Sequence, residues 1–452
     1  MPGLSQSSDR FDGTPDRSVR KPHHTIEITQ DGKPTIRHCS SSWHAACGTE
    51  RCKPCDVPRF EPFPAVRYNL DRVVLDDVVA PPYDVLSESD LDELQARHPA
   101  NIVHVDVPRE SSGAERYSRA AEVLQGWLTA QLMVTDDRPS FTLYRMRFTD
   151  EAGRERETVG VIGGLEVVDE GAGGVLPHER TTPKAKTDRL DLTRATRANL
   201  SPVWGLSLTS GLSSLLSAPG EPVGSVVVDG VVHSVERVSD DDRVDAIRSA
   251  VESHPVLIAD GHHRYAISRV FRNEQRAALG GDARGAELTM TYVAELVEDQ
   301  LSIDAIHRIY SDVAADELLA RLSEYFETAP VGEVTPAIAT DLVERASLCF
   351  VHPDGSGTWL TPRADRFVGV RLLDGALLEH ALDGFDHSVS YQHGVAHVTD
   401  LVTSGAVAAG VLIRPTGIDE IRRTANEGLL MPPKSTFFTP KLRTGFVIRL
   451  VD

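Results

Sequence analysis

Cysteine, net positive charge and long apolar runs are all scarce in this chain. Five cysteines in 452 residues do not make a disulfide scaffold. Lys and Arg number 47 against 67 Asp and Glu, a net charge of −20, so the overall basic footprint of a nucleic-acid-binding protein is missing. The acidity belongs to the folded body. Residues 1–60 hold nine Lys or Arg against seven Asp or Glu, which leaves the remainder near −22. No apolar stretch reaches membrane-spanning length, and the N-terminus has no signal-peptide core. Nor is there a Walker P-loop, since Pro432-Pro433-Lys434-Ser435-Thr436 lacks both glycines. The Gly-x-Gly-x-x-Gly turn of nicotinamide enzymes is absent, and His262-His263 lacks the i, i+4 spacing of a helical zinc pair. With 40% hydrophobic and 25% charged residues, a cytoplasmic enzyme with no membrane partner is expected, and nucleic acid is not an expected partner.

What is present begins with an extension, residues 1–57, rich in Ser, Asp, Pro, His and Arg and without periodicity. It is expected to be disordered. Cys52-x-x-Cys55 is half of a zinc motif with no well-spaced second pair, so a dispensable tail is the preferred reading.

Ordered sequence is expected from Phe60. Pro81-Pro82-Tyr83-Asp84 is stiff and extended, because each proline fixes its own backbone and restricts its predecessor. Ser87, with Asp90 three residues on, reads as the cap of a helix through Leu91 and Leu94. A longer amphipathic helix spans about 114–132, and strands are expected at 140–148 and 158–168. A helix carrying Arg189, Arg194 and Arg197 follows. Residues 203–208 and 224–238 read as strands, and Ser239 as the cap of a helix with Val244, Ile247 and Val251 inward. Strands at 289–296 and 407–413 and a helix at 418–428 complete the pattern. Catalytic sequence is expected over 58–310, an α+β insertion over 311–395, and a returning C-terminal segment over 396–452.

The chain is organised around Val256-Leu257-Ile258-Ala259-Asp260-Gly261-His262-His263-Arg264-Tyr265. The apolar run 256–259 reads as a buried strand, and Asp260-Gly261 breaks it. From His262 the period becomes helical, with Ile267, Val270 and Phe271 on one face and Arg269, Arg272 and Glu274 elsewhere. Three cationic residues at a helix start are locally unfavourable, and a bound phosphate supplies the reason for them. The second cationic cluster, six Lys or Arg from Arg180 to Arg197, is read as a phosphate-facing patch rather than a solvated helix face. His178-Glu179-Arg180, Asp260 to Arg264 and Lys434-Ser435-Thr436 supply a base, a carboxylate able to hold Mg²⁺ and several phosphate ligands. That set suits phosphoryl transfer.

Four motifs resemble one bacterial family, the domain of unknown function numbered one thousand and fifteen. They are Pro81-Pro82-Tyr83-Asp84, Leu176-Pro177-His178-Glu179-Arg180-Thr181, Ile258 to Tyr265 and Met431 to Thr436. The likeness runs from about Phe60 to Ile448. More distantly, Pro177-His178-Glu179, Ala259 to Arg264 and Pro433 to Thr436 are similar, in that order, to motifs of archaeal free L-serine kinases. This second resemblance implies an α/β (α+β) fold with a ParB/sulfiredoxin-like core and added α+β segments. It implies phosphorylation of L-serine with ATP or ADP and Mg²⁺, Glu179 being the catalytic carboxylate. Asp260 would hold the metal or orient substrate. Gly261, His262, His263, Arg264, Lys434, Ser435 and Thr436 would cradle phosphates, with His178, Arg180, Arg194 and Arg197 in supporting places. The alternatives are a ParB-like nucleotide switch on DNA, and sulfiredoxin-like chemistry. The latter wants a reactive cysteine, whereas Cys349 sits in an apolar run that reads as core.

Overall fold

A computed structural model describes residues 57–451, apart from 110–112, 150–152, 178–185 and 433. The extension and its Cys52 and Cys55 lie outside the described residues, as do His178, Glu179 and Arg180.

The chain is mixed α/β, built on two large sheets. In chain order the nine strands of the first are β1 (Phe60–Glu61), β2 (Phe141–Thr149), β3 (Glu155–Glu166), β4 (Val175–Pro177), β5 (Val203–Ser207), β6 (Glu221–Val228), β7 (Val231–Val238), β8 (Val256–Asp260) and β9 (Leu288–Glu295). They lie side by side as β4-β8-β5-β9-β3-β2-β7-β6, with β1 against β3. Asp229-Gly230, both at positive φ, make the tight turn from β6 to β7, a twist that suits a two-residue hairpin. Strand β8, next to the edge strand β4, runs parallel to β4 and antiparallel to β5. Its side chains alternate between two buried clusters: Leu257 and Ala259 join one, Val256 and Ile258 the other. Burial on both faces explains why the strand reads as a continuous apolar run.

The helices that matter to the site are α1 (Glu88–Arg97), α2 (Val103–Asp106), α3 (Glu115–Thr129), α4 (Lys186–Thr196), α5 (Asp241–Val251) and α6 (His262–Leu279). Ser87 and Asp90 form the expected reciprocal capping box. Two local expectations need correction. Asp240, not Ser239, caps α5 by accepting from Arg243 N, while Ser239 Oγ accepts from Arg138. Along α6, Val270 is 40% exposed while Arg272 is 1% exposed. Burial of the arginine is tolerated because its guanidinium donates to Val167 O and the Asp169 carboxylate.

The second sheet is six-stranded and wholly antiparallel: β10 (Ile306–Ser311), β11 (Phe326–Glu333), β12 (Leu348–Val351), β13 (Ser356–Pro362), β14 (Ser388–His393) and β15 (Ala409–Leu412). Their order is β11-β13-β12-β15-β10-β14. The sheet therefore reaches past both ends of the expected 311–395 unit. Strand β10 begins before it, and β15 is drawn from the segment after it, because both complete the ladder.

From Phe437 the chain laces back across the first body. Phe437–Thr439 pairs with Ser302–Asp304, Thr444 and Ile448 bridge to Ala80 and Val66, and Arg449–Leu450 pairs with Ala198–Asn199. This return carries Lys441 past the end of β8.

Candidate active site

The expected strand, turn and helix are all present at 256–265. A register shift between Ile258 and Asp260 in the pairing with β5 marks a bulge, and a bulge re-aims the side chain that follows it. Gly261 takes φ +84° as the N-cap of α6, a conformation in which a side chain is strained. A Cβ there would also stand 2.9 Å from Arg264 Nε. Tyr265 fixes the helix to the end of β3: its hydroxyl donates to Glu166 O and accepts from Val168 N.

Asp260 is the electrostatic centre. Its Oδ2 lies 3.0 Å from Arg264 Nη2 and 3.6 Å from Lys441 Nζ, and its side chain is 27% exposed. Burial alone would raise its pKa. Lys441, Arg264 and His262, with the Gly261 N–H, more than offset this and hold the carboxyl well below its ordinary range. Asp260 is therefore an anion at neutral pH. Lys441 is itself held 4.3 Å from the centre of the Phe437 ring, which stacks on His393 at 4.6 Å.

Arg264 is turned inward. Besides Asp260 it donates to Pro202 O, and its Nε is buried without an acceptor among the described residues. Its forked donors serve the protein, so its expected contact with donor phosphates gives way to a place beside Asp260. Behind it lie Tyr83, Asp84 and Asp106, whose charges act on it.

Two cavities flank α6. Pro177, Ile258, His262, Tyr265, Arg269 and Leu430 are among the walls of the larger, about 390 Å³. The smaller, about 50 Å³, is polar and takes Arg264, Ile267 and Ser268 from the opposite side of the helix. His262, Tyr265, Ala266 and Arg269 recur at helical spacing on one face; Arg264, Ile267 and Ser268 recur on the other. The first turn thus contributes His262 and Tyr265 to the larger cavity and Arg264 to the smaller.

The terminal motif is placed differently from expectation. Lys434 is exposed at φ +58°, and its carbonyl accepts from Arg308. Ser435 and Thr436 are buried; Ser435 Oγ donates to Pro432 O, and Ser435 O accepts from Thr416. These contacts shape the loop. The lysine that reaches Asp260 is Lys441. Arg194 and Arg197 are not brought to the start of α6. Arg194 pairs with Asp191 and Glu274, and Arg197, beyond the end of α4 at φ +46°, donates to Gln275 and Val451 O. Glu274 stands about 18 Å along the helix from His262 at 1.5 Å per residue.

Sequence reasoning passed over Lys441, Asp106 and the separate role of Arg189. Arg189 Nη1 donates to Asp106 Oδ1 at 2.9 Å and to its carbonyl, and the guanidinium stacks 3.6 Å over Tyr83. Tyr83 lay in a recognised motif and Arg189 in the cationic cluster. Asp106, in the alternating stretch 103–107, carried no signal. Among the described residues no three His, Cys, Asp or Glu side chains converge as metal ligands. Asp260, with two cations already at one oxygen, does not fit a resident metal. It fits contact with Mg²⁺ that takes its other ligands from phosphates and water.

The family model for the protein of unknown function DUF1015 matches residues 60–383, more than half of the chain. The chain belongs to the DUF1015 family. That match ends before the terminal motif. No curated protein matches this DUF1015 chain. Among solved structures it is similar to a mutant free serine kinase in complex with AMP, at 12% identity over 60% of this chain and 89% of that one, TM-score 0.34. A conserved hypothetical protein from Pyrococcus furiosus is 11% identical over 61% and 92%, TM-score 0.34. SbnI from Staphylococcus aureus, with a C-terminal truncation, is 14% identical over 64% and 87%, TM-score 0.35. No helix among the described residues is long and apolar enough to cross a membrane.

Proposed function

We propose that this DUF1015 protein is a phosphotransferase that moves a phosphoryl group from ATP or ADP to the hydroxyl of free L-serine, giving O-phospho-L-serine. The observation that carries this reading is the pair of cavities divided by α6, with ionised Asp260 at the helix start. Phosphoryl transfer needs a donor and an acceptor on either side of an anion-binding point, and the N–H groups and dipole of a helix start provide that point. A cavity of about 390 Å³ falls in the range of about 300–1,000 Å³ typical of small-molecule sites, and takes the nucleotide. His262 and His263, at the start of α6, meet its phosphates. Lys434, Ser435 and Thr436 form the loop that follows Leu430, a wall of the same cavity.

In the reaction the serine Oγ attacks the terminal phosphorus, the bridging P–O bond breaks, and ADP or AMP leaves. Glu179 takes the hydroxyl proton; in sequence it is two residues beyond Pro177, which lines the nucleotide cavity. Asp260 orients the acceptor, held in place by Arg264 and Lys441. Mg²⁺ arriving with the nucleotide would meet Asp260 and neutralise phosphate charge.

The test is incubation of the full chain with Mg²⁺, L-serine and either nucleotide, followed by chromatography for O-phosphoserine. Formation of phosphoserine with one donor is expected. Its absence with both, from folded protein that binds nucleotide, overturns the proposal.

A further inference from the structure

The smaller cavity on the Arg264 side of α6 is unlike a phosphate site. Tyr83, Asp106, Arg189, Ser201 and Arg264 are the walls that decide its character. Asp106 is 3% exposed and ion-paired with Arg189; Arg264 is ion-paired with Asp260. Each guanidinium therefore has its own carboxylate. Lys441 and Asp84, on the flanks, also carry opposite signs. Such a balanced lining has no surplus cation for a triphosphate. It complements a neutral molecule that itself carries both charges.

Size narrows the class. One water needs about 10–15 Å³ by the same measure, so about 50 Å³ holds only a few atoms beyond a compact backbone. Placement does so too. Ser201 and Arg264 also line the pocket that contains Asp260 and Lys441, so they are the shared wall between the cleft and the reacting end of β8. Ser201 makes no side-chain hydrogen bond among the described residues and is half-buried, so its hydroxyl is available to a ligand.

We propose that this cleft is the recognition site for a small zwitterionic amino acid, Arg189 receiving its carboxylate and Asp106 its ammonium group. Its side chain then extends past Ser201 and Arg264 towards Asp260. The inference rests on the phosphotransferase reading for its choice of L-serine and deepens it by assigning the acceptor's specificity residues. Arg189 and Asp106 would form a four-charge arrangement with the ligand, in which each charge lies next to its opposite. A buried ion pair is expensive to maintain for stability alone, and use by a ligand gives it a purpose.

The experiment is calorimetric titration of the full chain with L-serine, without nucleotide, beside serinamide, 3-hydroxypropionate and L-glutamine. L-Serine should bind. Serinamide, lacking the carboxylate, 3-hydroxypropionate, lacking the ammonium, and the larger L-glutamine should each bind at least about tenfold more weakly. Asp106→Asn and Thr193→Leu should each weaken L-serine binding about tenfold or more while ADP affinity changes less than about twofold. Thr193→Leu keeps the ion pair and fills the cleft, since Thr193 lines it and its Oγ1 donates to Arg189 O of its own helix. It answers the question if Asp106→Asn fails to fold. Absence of L-serine binding in the wild type, or unchanged affinity in the folded variants, overturns the inference. Phosphoserine formation with an unchanged KM for serine in Thr193→Leu would remove this site and leave the phosphotransferase standing. Serine binding that the variants abolish, in a protein that makes no phosphoserine with either nucleotide, would do the reverse.

Discussion

Lys441 Nζ lies 3.6 Å from Asp260 Oδ2. The contact joins the end of β8 to the last stretch of the chain and closes the candidate site. It is not a loose surface pair, for Lys441 is 18% exposed and seated on Phe437, which stacks on His393 of the second sheet. The two sheets therefore meet in one chain of contacts, His393 to Phe437 to Lys441 to Asp260.

Lys441→Met should lower phosphoryl transfer by about 10²-fold, the usual loss when one preorganised electrostatic group is removed. It should also change the acid limb of stability. Because folded Asp260 ionises at lower pH than the unfolded residue, its ionised form stabilises the fold above the ordinary carboxylate range, near pH 4. That contribution disappears as pH falls below this range. Without Lys441 the folded carboxyl ionises closer to its unfolded range, so less stability should be lost on acidification, as read from melting temperatures between pH 3 and 7. Superimposable acid limbs would deny the coupling.

Arg264→Ala removes one partner of an enclosed ion pair and the donor to Pro202 O. The expected destabilisation is about 3–5 kcal/mol by denaturant unfolding. Turnover should fall more than ADP affinity, because the guanidinium positions Asp260. An equal loss in both would return Arg264 to the phosphates.

Glu179→Gln should keep the melting temperature and nucleotide affinity while single-turnover phosphoserine formation falls by about 10²–10⁴-fold. Gln matches the shape of Glu and cannot take the proton. Near wild-type chemistry would leave Asp260 as the next candidate for the base.

Two buried histidines should make the fold acid-sensitive before its carboxylates do. Burial, with Arg443 nearby, pushes His233 down to about 4; burial, with Arg308 and His393, does the same for His307. Their neutral rings accept or share hydrogen bonds with Tyr144 and from Ile413 N. The stability they lend is complete above the unfolded value near 6.5 and is lost as pH falls towards about 4. Melting temperature should drop between pH 6.5 and 4.5, and His307→Gln should flatten part of that drop. A pH-independent melting temperature over this interval would contradict it.

Cys349 should resist alkylation in the native protein at pH 8 and react fully in denaturant, as read by mass spectrometry. It is buried in β12, and burial pushes its thiol up to about 12. Fast native labelling would reopen cysteine-based chemistry.

The local sequence by itself determined the parts whose causes are short-range. The apolar run 256–259, the glycine turn at 261 and the helical period after His262 fix a strand, a turn and a helix, because each depends on neighbouring dihedrals and on burial of one short segment. The Ser87–Asp90 cap was legible for the same reason. The tertiary structure alone decided partners. Arg264, Arg194 and Arg197 have the same charge and sit in similar cationic stretches, yet Arg264 turns to Asp260 while the other two turn to the far end of α6. Which of Lys434 and Lys441 reaches Asp260 depends on how the final segment pairs with 302–304 and 198–199. The Asp106–Arg189 pair depends likewise on α2 and α4 meeting across the first body. Such choices are made by sheet order and chain return, whose hydrogen bonds join residues far apart in sequence, and no periodicity within a short window records them.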